Sequence, residues 1–107
     1  MNWRRLRPAV AAAGSSSIML EQQIVVSNRL GLHARASAKL VQLLRGFKAT
    51  VWLVSHTREV NAQSIMGVMM LAAGLGTPLT VRADGADEAA ALQAVVDLFA
   101  RKFDEGA

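Results

Sequence analysis

Cysteine is absent from the chain, which excludes a disulfide scaffold, a thiolate zinc site and a cysteine nucleophile. Nothing in the composition marks an oxidising compartment. Long apolar runs are missing too. The longest, Ile65 to Gly76, is broken by Pro78 and falls short of the roughly 20 residues a membrane-spanning helix needs. No P-loop or dinucleotide fingerprint occurs, so no bound nucleotide or other cofactor is expected. A basic stripe is lacking as well. The net charge of +4 owes much to Arg4, Arg5 and Arg7, whereas from Met19 onward nine Lys or Arg face eight Asp or Glu. A body so near neutrality does not suit binding along a nucleic-acid backbone. His56 has no acidic or cysteine partner at metal-ligand spacing, so no metal site is expected.

What is there fits one soluble domain of 107 residues, 52% hydrophobic and 19% charged. Residues 1–18 combine an arginine cluster, a short alanine run and three serines. The alanine-rich stretch from Ala9 to Gly14 is too short for the apolar core of a signal peptide. This segment is read as a disordered N-terminal extension, and residues 19–107 as the domain.

Within the domain, Leu20 to Val26 ends in a β-branched run and predicts a strand, followed by a loop containing Asn28 and Gly31. Ala34, Ala38, Val41 and Leu44 recur at helical spacing up to about Arg45, with Gly46 expected as a left-handed cap. Lys48–Val54 and Arg58–Asn61 read as strands joined by a hairpin at Ser55-His56-Thr57. Ser64 to about Ala73 predicts a short apolar helix. Leu79, Val81 and Ala83 alternate with Thr80 and Arg82 as in a half-buried strand. Asp87 and Glu88 open a last helix, Arg101 and Lys102 close it, and Leu92, Val95, Val96, Phe99 and Phe103 form its apolar stripe. The order βαββαβα predicts a two-layer α+β domain with one sheet face under the helices. Trp52, Thr80 and Arg82 belong to the other face.

The chemistry concentrates at Gly31-Leu32-His33-Ala34-Arg35. The residue before a helix is usually Ser, Thr, Asp or Asn; here it is His33, a poor cap by propensity. A helix start offers unpaired N–H donors and a partial positive charge, which together suit an anion and disfavour the imidazolium. A neutral ring is a nucleophile. A phosphoryl group on it would face the backbone donors of Ala34 to Ala36 and the guanidinium of Arg35. The residues alone also allow His33 to be a hydrogen-bonded turn residue and Arg35 a solvated one.

Two segments carry a resemblance that narrows this choice. Gly31-Leu32-His33-Ala34-Arg35 is similar to the active-site signature of the HPr family of histidine-containing phosphocarriers. Asn61-Ala62-Gln63-Ser64-Ile65-Met66-Gly67-Val68-Met69 resembles that family's regulatory-serine region. The likeness extends from about Met19 to Phe103. It implies an open-faced β-sandwich, a four-stranded antiparallel sheet of order 1-4-2-3 with three helices on one face. It also implies that His33 takes a phosphoryl group on Nδ1 from enzyme I and passes it to an enzyme IIA domain, with Arg35 as the active-site arginine. A cytoplasmic monomer is implied, a stoichiometric carrier without free-standing turnover. Ser64 matches the serine modified by the HPr kinase/phosphorylase in many members, although a plain helix cap explains it equally well. Ile65, Met66 and Met69 are expected at partner contacts, and Val68 and Leu71 in the core. Ala36 departs from the proline usual after the arginine, which restores an N–H and fits a subgroup that includes the nitrogen-related branch of the system. That regulatory branch, and a binding module controlled through Ser64 alone, are the alternative readings.

Overall fold

The computed structural model describes residues 4–6, as backbone, and residues 19–106. Strands β1 (Arg4–Leu6), β2 (Met19–Val25), β3 (Thr50–Val54), β4 (Glu59–Asn61) and β5 (Pro78–Asp84) alternate with helices α1 (Ala34–Leu44), α2 (Ile65–Met70) and α3 (Glu88–Ala100). A short 3-10 turn, Lys102–Asp104, follows α3. The sheet is antiparallel throughout, in the order β1-β2-β5-β3-β4. Counted among themselves, the four strands of the domain run 1-4-2-3, the open-faced architecture expected. Arg4–Leu6 lies in the stretch read as a disordered extension, yet it pairs with the outer edge of β2, opposite Met19–Glu21. An edge strand presents unpaired N–H and C=O groups, and a short segment satisfies some of them. The rest of that stretch is outside the described residues.

Alternation decides which face is covered. Leu20, Val51, Leu53, Leu79, Val81 and Ala83 are buried beneath the helices, in register through Leu20↔Ala83, Val51↔Ala83 and Leu53↔Val81. Trp52, Thr80 and Arg82 take the opposite, half-exposed face. There the Arg82 guanidinium reaches Glu21 on one neighbouring strand (2.9 Å) and Glu59 beyond the other (3.0 Å). Pro78, with no N–H to give, stands at the first position of β5.

The helix ends differ from expectation in instructive ways. Gly46 does not adopt a positive φ; α1 closes instead through tightened bonds from Gly46 N–H to Leu43 O (3.3 Å) and Phe47 N–H to Leu44 O (3.1 Å). Helix α2 is shorter than its apolar run because Ala72 turns to φ +52, which sends Ala73 into the core. Asp87 precedes α3 but makes no side-chain cap bond to it. Its carboxylate accepts from Lys48 N–H (2.8 and 3.1 Å) and Ala49 N–H (2.7 Å), tying the start of α3 to the approach to β3. Those backbone bonds, that from Lys48 foremost, hold the Asp87 carboxyl below its ordinary value. Arg101 and Lys102 fall just past the last helical residue instead of closing it. There the chain leaves the helix, with Lys102, Phe103 and Asp104 at φ +56, +55 and +60.

Candidate functional site

The site is assembled where the β2–α1 loop meets the tail that follows α3. Gly31 makes the loop possible. At φ +67, a Cβ there would stand 2.5 Å from the Ala73 carbonyl oxygen, so only a residue without a side chain fits. The close approach lets Leu32 N–H donate to that same carbonyl at 2.9 Å, fixing the loop against the chain that follows α2. Asn28, fully buried, braces the loop from inside by donating through Nδ2 to Gly31 O (2.8 Å).

His33 then takes the N-cap position of α1 in extended backbone conformation. Its Nδ1 accepts from Arg35 N–H at 3.2 Å, as a serine oxygen would in a conventional cap. The N–H groups of the first helical turn have no carbonyl partner within the helix, so Nδ1 points toward a cluster of donors at the positive end of the dipole. The ring remains 27% exposed, open to a partner rather than enclosed in the core. Ala34 and Arg35 are exposed, whereas the Ala36 methyl is completely buried.

The far side of the ring is held by a residue the sequence did not single out. Nε2 lies 2.6 Å from Glu105 Oε2, and Glu105 Oε1 accepts from Asn28 Nδ2 at 3.1 Å. Burial pushes the Glu105 carboxyl up. The hydrogen bonds from Asn28 and His33, with the charges of His33 and Lys39, outweigh it and leave the group below its ordinary value. Because Nδ1 accepts an N–H and Nε2 faces a carboxylate, the neutral ring carries its proton on Nε2 and its lone pair on Nδ1.

Glu105 reaches this place because the tail turns back sharply. Phe103 is fully buried and packs edge-on against Phe99, with ring centroids 4.8 Å apart. Lys39 on α1 donates to the Phe103 carbonyl at 2.6 Å, and Arg101 pairs with Asp104 at 3.0 Å. These contacts hold three successive non-glycine residues in the left-handed region, which costs roughly 1–2 kcal/mol per residue. Beside the ring, an open hollow is lined by Leu30, Ala34, Arg35, Lys39, Asp104 and Glu105, so two cations and two carboxylates share its rim.

Ser64 caps α2, its Oγ accepting from Gly67 N–H at 3.1 Å. Among the described residues, no hydrogen bond or ion pair joins it to His33 or Arg35. Ile65, Met66 and Met69 are exposed, Met66 by 72%, and Met70, Leu30 and Leu75 join them as large exposed apolar side chains. Val68 is wholly buried and Leu71 packs against the core. Glu105 and Lys39 were missed because both act across more than sixty positions of chain. Asn28 was visible only as a turn former.

A family model described as the PTS HPr component phosphorylation site matches residues 20–101. The chain belongs to the PTS-HPr family. It is a phosphocarrier of the phosphotransferase system, and the family works through protein partners within that system. A phosphocarrier protein HPr from Xylella fastidiosa is 55% identical over 87 residues, which span 81% of this chain and 98% of that protein. A phosphocarrier protein NPr from Shewanella violacea is 42% identical over 86 residues, 80% of this chain and 94% of that one. In structure, the chain is similar to HPr-C-His from Thermoanaerobacter tengcongensis, with a TM-score of 0.76 and 41% identity, covering 79% of this chain and 96% of the other. None of the helices in the described residues is long and apolar enough to cross a membrane.

Proposed function

We propose that His33 accepts the phosphoryl group on Nδ1 from phosphorylated enzyme I and passes it to an enzyme IIA domain. The observation that carries this reading is the hydrogen bond from Arg35 N–H to Nδ1, made by a ring that stays partly exposed. A nucleophile so placed meets an incoming phosphoryl group at the donors that will bind its oxygens. The Nδ1 lone pair forms the new N–P bond while the donor's P–N bond breaks and its electron pair returns to the donor ring. Ala34 to Ala36 supply backbone N–H groups, and Arg35 neutralises the equatorial oxygens.

The working unit is residues 19–107, acting as a cytoplasmic monomer. Exposed Ile65, Met66 and Met69 form a soft apolar surface suited to docking different partners in turn. A phosphate placed on Ser64 by a kinase would sit on the start of α2 and put charge into that surface. Service to the nitrogen-related branch is the second reading, favoured by the likeness to the Shewanella NPr and by Ala36. Relative rates with the two enzyme I paralogues separate the branches.

The test incubates the protein with enzyme I and phosphoenolpyruvate. An acid-labile, base-stable phosphate is expected, and His33→Ala abolishes it. Labelling that survives this substitution overturns the assignment.

A further inference from the structure

The hydrogen bonds around His33 form a chain in which each donor and acceptor is fixed by the next. Gly31 O can only accept, so Asn28 must turn its amide nitrogen toward it (2.8 Å). The same nitrogen faces Glu105 Oε1 (3.1 Å), which must accept as well. Glu105 Oε2 meets His33 Nε2 at 2.6 Å, and Nδ1, on the other side of the ring, accepts from Arg35 N–H at 3.2 Å. An ionised carboxylate, an acceptor at both oxygens, takes the hydrogen bonds of Asn28 Nδ2 and of the ring together.

We propose that Glu105, aligned by buried Asn28, is a positioning residue that locks His33 as its Nε2–H tautomer and faces the charge the ring acquires on phosphorylation. This rests on the carrier reading above. When Nδ1 forms its bond to phosphorus, no proton leaves Nε2, so the ring becomes a phosphoimidazolium. The carboxylate is already 2.6 Å from that proton, in a place partly withdrawn from water where a charge-assisted bond is strong. The tail therefore contributes to the acceptor's chemistry as well as to packing.

Glu105→Gln is the discriminating variant, because it keeps the shape and removes one acceptor. If the Gln oxygen faces Asn28, its amide nitrogen confronts Nε2 and drives the proton to Nδ1, against Arg35 N–H. If it turns over, two amide groups collide at Asn28. Long-range 15N–1H correlation of the ring at about pH 8.5, where an ordinary histidine is neutral, should show the Nε2–H form in the native protein and a mixture in Glu105→Gln. The rate of labelling by enzyme I and phosphoenolpyruvate should fall about tenfold, the loss expected for one charge-assisted hydrogen bond. Glu105→Ala, which removes both oxygens, should show a similar loss of rate. A native tautomer and native rate in Glu105→Gln overturn the proposal. A slow variant with the native tautomer overturns it too, and leaves Glu105 a mere anchor of the tail. Should the native protein take no phosphate at all, the carrier reading fails, while the tautomer comparison still judges Glu105.

Discussion

At the start of α1, an imidazole nitrogen accepts from an amide N–H at 3.2 Å; at the start of α2, a serine oxygen accepts from one at 3.1 Å. The two caps look alike from the helix side and differ behind it. Ser64 is exposed, on a helix of six residues ringed by methionines. His33 begins an eleven-residue helix, and its second nitrogen is gripped by a carboxylate from the far end of the chain. What sets the first cap apart is a distant element that reaches the other face of the capping group. Among the described residues, the Ser64 side chain is joined only to its own helix.

The largest expected change comes from cutting the grip at its root. Phe103→Ala removes a fully buried ring and should cost about 3–5 kcal/mol in denaturant unfolding. It should also shift the His33 ring resonances while leaving the Gly67 amide, at the other cap, where it was. Equal disturbance at both caps would erase the distinction drawn between them.

A smaller effect separates the caps by stability. Ser64→Ala should cost about 1 kcal/mol, the usual value for a lost hydroxyl cap. His33→Ser should cost less, since serine caps better than histidine and Glu105 keeps its bond from Asn28. Paired unfolding curves check this, and the reverse order would mean that histidine is kept at position 33 for stability.

The last effect appears only in acid. Asp87 and Glu105 both have carboxyls held below their ordinary values in the folded protein. Each therefore adds stability above the unfolded carboxylate range, and that share is lost as pH falls through the folded value. Unfolding measured from about pH 6 to about pH 3 should show a decline that Asp87→Asn and Glu105→Gln each make shallower. A decline unchanged in both variants would assign the acid sensitivity elsewhere.

Local features were legible and distant ones were not. His33, Arg35 and Ser64 lie in contiguous segments whose helix-start chemistry is written in a few residues, and the strand alternation from Leu79 to Ala83 gave the covered face. Phe103 shows where such reading stops. Counted as the next turn of the α3 stripe, it is indeed buried, yet it arrives by a left-handed turn that nothing in Lys102-Phe103-Asp104 announces. That turn is what delivers Glu105 to His33, so the ring's second partner was hidden with it. The strand at Arg4–Leu6 was equally hidden, because its only signal is the free edge of β2, a property of the assembled sheet.

Gly31 carries a consequence for how this protein can vary. Its α-carbon is wedged against the chain at Ala73 and Gly74, so even one added methyl would prise apart the loop bearing the histidine and the segment leaving α2. A library randomised at position 31 should return glycine alone from a selection for carriers. The two segments must then drift together through generations, each setting the terms on which the other can mutate.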